Sequence, residues 1–309
     1  DDIAYESRIH NHVVGSGRLE ADRLLAMDPG TVGDKVPGTP TREPVFDLPA
    51  LWIDASEKQR AEIAGYTVVD PESVLVTHLA EVLRRHAYEL LSRDDVQELV
   101  DRLRDRQPAL VNGVIGETVP LALLHRVLQN LLKDGIAIRD LAQILEVLGD
   151  SAGRSKDPAV LTELARKSMV RTITEKHAGP DGQIVAITLE PDLEYELVSS
   201  LGSDSDGGGF RIAPDRALEL VRTISQAWTD AMEAGKEQVV LLCDFRIRRA
   251  MANLISRQAT QLSVVAYDEI AIGTPIESVS VISLNSGSAS ASQGQAPAPQ
   301  GAAVAAAAG

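Results

Sequence analysis

Cysteine is almost missing from these 309 residues: Cys243 stands alone, so no disulfide can form within the chain, which suits a reducing compartment. Aromatic residues make up only 3%, leaving few stacking surfaces for unpaired bases. Basic residues are also short, 30 Lys and Arg against 45 Asp and Glu, for a net charge of -15. Affinity for a phosphate backbone comes from Lys and Arg, so this balance excludes a nucleic-acid partner and favours basic or neutral ones. No apolar run approaches the roughly 20 residues that cross a bilayer. The longest, such as VVLLC within Gln238–Cys243, suit buried strands. The phosphate loop GxxxxGK[ST], a GxGxxG after a strand, the GxSxG elbow and HExxH are all missing, so no cofactor and no catalytic residue is expected. The opening DDIAYESRIH has no signal-peptide pattern and no initiating Met, and reads as part of something larger.

What remains is a hydrophobic fraction of 44%, enough for a substantial core, with charged residues at 24% spread along the chain. Residues 3–30 carry short β-like runs, then VGDKVPGTPTREP supplies turns, reading together as a small α/β unit. LPALWID predicts a strand, Ser56 to Ala64 a short helix capped by Ser56 and ended by Gly65, and YTVV another strand. Asp70 before Pro71 predicts the start of a long helix whose seam is Leu75, Leu79, Val82, Leu83, Leu90 and Leu91. Ser92 with Asp95 predicts a capping box, followed by the seam Val96, Leu99, Val100 and Leu103 up to Pro108. Two further amphipathic patterns, PLALLHRVLQNLLKDG and IRDLAQILEVLGD, are closed by Gly135 and Gly149. From Gln183, the runs QIVAITL, QVVLLC, LSVVAY and SVSVI alternate with helical patterns, as in a helix-covered sheet. SDSDGGG at 203–209 reads as a flexible loop, and the uncharged Ala, Ser, Gly, Gln and Pro stretch 286–309 as a disordered tail.

Isolated chemistry-bearing residues read blandly. His10 and His12 stand at strand spacing, a geometry that can hold a metal, but no third ligand lies near in sequence and they read as solvent-facing. His78, His86 and His125 fall on helices as packing or boundary residues, and Cys243 as a small buried hydrophobe. Asp204, Asp206 and Gly207 lack the remaining ligands of a calcium loop. Arg246, Arg248, Arg249 and Arg257 form a basic helix face, either solvated or set against an acidic neighbour.

Longer blocks carry more. TREPVFDLPALWID, AGYTVVDPESVLVTHLAEVLRRHAYELLSRDDVQELVDRL, HRVLQNLLKDGIAIRDLAQILE and VVAYDEI resemble consecutive segments of the flagellar and type III secretion export-gate family, over roughly residues 22 to 283. The resemblance implies an α+β multidomain fold with small α/β subdomains, a central helical subdomain and a C-terminal α/β subdomain. Its boundaries would be a discontinuous, truncated first subdomain at 1–21 and 71–90, an inserted second at 22–70, a helical third at 91–170 and an α/β fourth at 171–285. It implies a non-enzymatic platform on the cytoplasmic face of the bacterial inner membrane, part of a multi-pass membrane protein. Its partners would be flagellar export chaperones with cargo, other components of the export apparatus, and copies of itself in a nine-membered ring.

The family's docking carboxylate, phenylalanine and threonine fall on Glu43, Phe46 and Thr77; Glu43 stands where some members have aspartate. Phe46, directly before LPALW, fits core packing equally well. The alternatives are the export gate of a virulence secretion system, whose blocks are partly shared, and a small-molecule enzyme housed after residue 183, where open sheets place ligands at strand ends.

Overall fold

The structure, a computed structural model, describes residues 2–30, 32–45, 48–202, 208–236, 238–256, 258 and 261–284. Phe46, Arg257, the Asp204, Asp206 and Gly207 cluster and the tail 286–309 lie outside the described residues. The fold is α+β, with separate sheets, a helical layer between them and four hydrophobic clusters.

The chain opens with an antiparallel hairpin of Asp2–Ile9 (β1) and His12–Glu20 (β2). Its two turn residues, His10 and Asn11, sit at φ 46° and 70°, the twist a two-residue hairpin loop needs. His10 is therefore a turn residue and does not share a strand face with His12. A second sheet has the order Thr39–Arg42 (β4), Pro49–Ile53 (β5), Leu24–Met27 (β3) and Thr67–Val69 (β6), all antiparallel. Strand alternation splits its side chains between two small cores. Leu25, Ala50 and Trp52 face one, and Ala26 and Ile53 the other. Between β5 and β6, Ala55–Glu57 forms a 3₁₀ turn and Lys58–Ala64 the helix α1, so Ser56 lies within a turn and caps nothing. Gly65 ends α1 at φ 98°, as its position predicts.

The helical layer comprises Pro71–Arg85 (α2), Ala87–Leu90 (α3), Arg93–Arg106 (α4), Pro108–Val114 (α5), Leu121–Lys133 (α6), Leu141–Ser151 (α7), Pro158–Ser168 (α8) and Val170–His177 (α9). The single long helix expected after Pro71 is broken at His86. Pro108 both ends α4 and opens α5, where its missing amide costs nothing. Gly135 closes α6 at φ 68°. Gly149, expected as a stop, lies inside α7, and its reason is contact: a Cβ there would meet Val114 Cγ2 at 2.8 Å. The Ser92 capping box is formed, with Asp95 N donating to Ser92 Oγ at 3.1 Å and Ser92 N to Asp95 Oδ2 at 2.8 Å.

The last unit is a parallel sheet in the order Ile276–Ile282 (β10), Ile184–Leu189 (β7), Val239–Cys243 (β8) and Ser263–Ala266 (β9). Helices Pro191–Ser199 (α10), Pro214–Glu233 (α11) and Phe245–Ile255 (α12) cover one face. All five residues of β8 are buried, the mark of a strand covered on both sides. Val240 and Leu242 join the core of the helical layer, while Val239, Leu241 and Cys243 join that of α10–α12. The Cys243 thiol is pushed up by this burial, away from reactive thiolate. Among the described residues no helix is long and apolar enough to cross a membrane, and no His, Cys, Asp and Glu cluster could hold a metal ion.

Candidate docking site

The site implied by the resemblance lies around α2. Asp70 caps this helix by accepting from Ser73 N at 2.7 Å, and the backbone and side-chain hydrogen bonds from Ser73 hold its carboxyl below the usual carboxylate range. Pro71, Val74, His78 and Val82 recur at three- and four-residue spacing and are the buried face. Leu79 and Leu83, expected in the seam, are exposed instead, at 44% and 48%. The difference comes from the hairpin. β2 lies against α2 at Gly15, where a Cβ would meet Val82 Cγ2 at 2.6 Å, and within the hairpin Gly17 leaves room for the Tyr5 ring of β1, which reaches His78. The His78 edge fits beside Gly15, so polar His78 packs on the face turned to the hairpin, and Leu79 and Leu83 are left outward.

His78 is 7% exposed, and its Nδ1 is 2.6 Å from the Tyr5 hydroxyl, the two rings meeting edge to face. Burial lowers the His78 pKa, with Glu43 opposing and Arg85 adding to the shift. Burial, then Glu43, raises that of Tyr5. Near pH 7 the imidazole is neutral and the phenol protonated, so the two share a neutral hydrogen bond whose direction follows the His78 tautomer.

Glu43 is only 5% exposed. Its Oε1 accepts from Val45 N at 2.9 Å, its backbone amide donates to Leu48 O at 2.9 Å, and Arg85 Nη2 reaches Val45 O at 3.4 Å. The carboxylate therefore holds Val45 beside Glu43, and Arg85 ties Val45 to the end of α2. Thr77 is exposed on α2, beside His78 in sequence, which also feels the charge of Glu43. Phe46, the third residue, lies outside the described residues.

Sequence reasoning missed the apolar stripe flanking Thr77. Val76 is 65% exposed and, with Leu79, Ala80 and Leu83, forms one outward face of α2. Their spacing carried the signal, but periodicity alone does not say which of two apolar faces is covered. A second opening, of about 890 Å³, runs between α11 and the edge strand β10, where Lys236 is paired with Glu277 at 2.7 Å. Its walls, with Arg222, Gln226 and Asp230, hold no cysteine or histidine.

These features define an α+β multidomain protein that exposes an apolar helix face beside a buried carboxylate turn. The chain belongs to the FHIPEP family, whose model matches residues 1–274. It is 31% identical over 280 residues to the flagellar biosynthesis protein FlhA of Bacillus subtilis, covering 91% of this chain and 41% of that protein. To FlhA of Proteus mirabilis it is 36% identical over 272 residues, 87% of this chain and 38% of that protein. The chain thus spans about two fifths of the length of these curated relatives. In fold it is similar to the Chlamydia pneumoniae CdsV protein, with TM-score 0.76, 23% identity, and coverage of 91% of this chain and 80% of that one. It is also similar to nonameric EPEC SctV-C, with TM-score 0.73, 19% identity, and coverage of 90% and 83%.

Proposed function

We propose that this chain is the cytoplasmic docking platform of a flagellar type III export gate, binding export chaperones with their cargo and passing cargo to a membrane channel. The observation that carries the reading is the exposed apolar stripe of α2 beside Thr77, in a chain whose relatives are flagellar FlhA proteins at 31% and 36% identity. Exposed apolar area of this kind, rimmed by Glu81, Arg84 and Arg85, suits a partner helix laid along α2. Glu43 contributes by holding Val45 against the end of α2, so its role is to position the cleft wall, while Phe46 and Thr77 contact the partner. The flagellar branch is favoured over a virulence gate by the sequence identities, which are higher than those to the secretion structures.

The platform works without catalysis, on the cytoplasmic face of the inner membrane, as one part of a longer membrane protein that assembles as a ring of nine. The nonameric state of EPEC SctV-C supports that ring. The other components of the export apparatus are its remaining partners. Titration calorimetry with purified flagellar export chaperones, each bound to its cargo, tests the reading. Thr77→Asp puts a charge into the proposed contact and should abolish binding at an unchanged melting midpoint. Phe46→Ala should weaken binding about thirtyfold, roughly 2 kcal/mol, if Phe46 is an anchor, and lower stability instead if it is core. Full binding by both folded variants would overturn the assignment.

A further inference from the structure

Five ionised side chains meet where the helical layer joins the C-terminal sheet. Arg166, on α8, donates from Nε and Nη2 to Glu269, just after β9, at 2.6 and 2.7 Å. Arg248, on α12, donates in the same two-pronged way to Glu163 of α8, Nε at 2.6 Å and Nη2 at 2.5 Å. Each unit thus supplies an arginine to a glutamate of the other. Asp134, at the end of α6, joins the two pairs, its Oδ2 accepting from Arg166 Nη1 at 2.8 Å and Arg248 Nη1 at 3.2 Å. The two arginine side chains are 3% and 4% exposed, and Glu269 is 0%. Glu269 Oε2 also accepts from Ala266 N at 2.9 Å, and Lys176 Nζ donates to the Asp134 backbone carbonyl at 3.1 Å.

Of the two readings of the basic face of α12, the acidic neighbour is the one that holds for Arg248. Arg248 is its buried member, and the acidic neighbour it meets is in the same chain. Around the cluster, Leu128, Ile144 and Leu161 share one core with Ala186, Val240 and Val265 of the sheet. Apolar contact is non-directional, so it does not by itself specify one angular register between helices and sheet. A forked guanidinium–carboxylate pair does specify one, because on a shift both hydrogen bonds are lost together and leave buried charge behind.

We propose that this reciprocal arginine clamp locks the helical layer and the C-terminal sheet into one rigid block, so that a partner bound on either is carried by both without play between them.

Double electron–electron resonance on the full chain reads this directly. Spin labels at Arg106→Cys on α4 and Glu233→Cys on α11 report the spacing, while Cys243 is buried and takes no label. The expected result is a single narrow distance distribution in the native chain and a broadened or split one in Asp134→Asn. A cluster that only contributes stability would lower the melting midpoint of Asp134→Asn and leave the distribution narrow, which overturns the proposal, as does a broad distribution in the native chain. Should Asp134→Asn fail to fold, Arg248→Lys keeps the charge and loses the fork. Broadening in Arg248→Lys supports the clamp, and an unchanged narrow distribution refutes it.

Discussion

His177, at the end of α9, offers a quantitative test of how tightly the helical layer is packed. It is 9% exposed, and burial, followed by the charges of Lys176 and Arg166, lowers its pKa from 6.5 to about 3. The folded-state value lies below the unfolded one, so the contribution is complete above pH 6.5 and is lost as pH falls towards about 3. In that window the unfolded chain binds a proton that the folded chain refuses. Each pH unit costs about 1.4 kcal/mol, so going from pH 6.5 to pH 5 should remove about 2 kcal/mol. His78, also lowered by burial, acts in the same direction. Urea unfolding at pH 7 and pH 5, with native protein and His177→Leu, separates the two. Native protein should lose about 2 kcal/mol or more on acidification, whereas His177→Leu should lose about 2 kcal/mol less over the same interval. An identical pH dependence in the two proteins would show that His177 is hydrated and that α9 does not seal this edge.

Three other outcomes follow from named contacts. Gly15→Ala should destabilise by about 1–3 kcal/mol in thermal melts, because its Cβ meets Val82 Cγ2 at 2.6 Å and must push the hairpin off α2. Ser92→Ala removes the acceptor that caps α4 and should cost about 1 kcal/mol by urea titration. Cys243 should label slowly with a thiol reagent in folded protein and promptly in denaturant; rapid labelling in the folded state would contradict its place in β8.

Elements with local punctuation were readable from the sequence. The Asp70–Pro71 start, the Ser92–Asp95 box, Gly65 and Gly135 each satisfy helix-end groups through their own side chain or backbone freedom, and each appears where its chemistry places it. So does VVLLC, whose unbroken apolar run requires cover on both faces. The misreadings share a cause: they needed knowledge of a neighbour distant in sequence. Gly149 looks like a stop until Val114 is beside it, and Leu79 and Leu83 look like the buried seam until the hairpin covers the His78 face instead. For Arg248 the sequence left a solvated face and an acidic neighbour both open, and only Glu163 and Asp134, distant in sequence, decide between them. The same holds for the docking site. Glu43 and Thr77 were named through resemblance, but that the carboxylate is buried and the α2 stripe open follows from packing.

Under the proposed function, the outward face of α2 receives export chaperones. Site-specific photo-crosslinking tests it most directly, with a photoreactive amino acid at Leu79, at 44% exposure on the stripe, and another at the exposed Arg102 of α4. Purified flagellar chaperone bound to its cargo is added to each, and adducts are identified by mass. The expected result is a chaperone adduct from position 79 and none from position 102. A chaperone that binds yet crosslinks at neither position, or only at 102, would place the docking surface elsewhere.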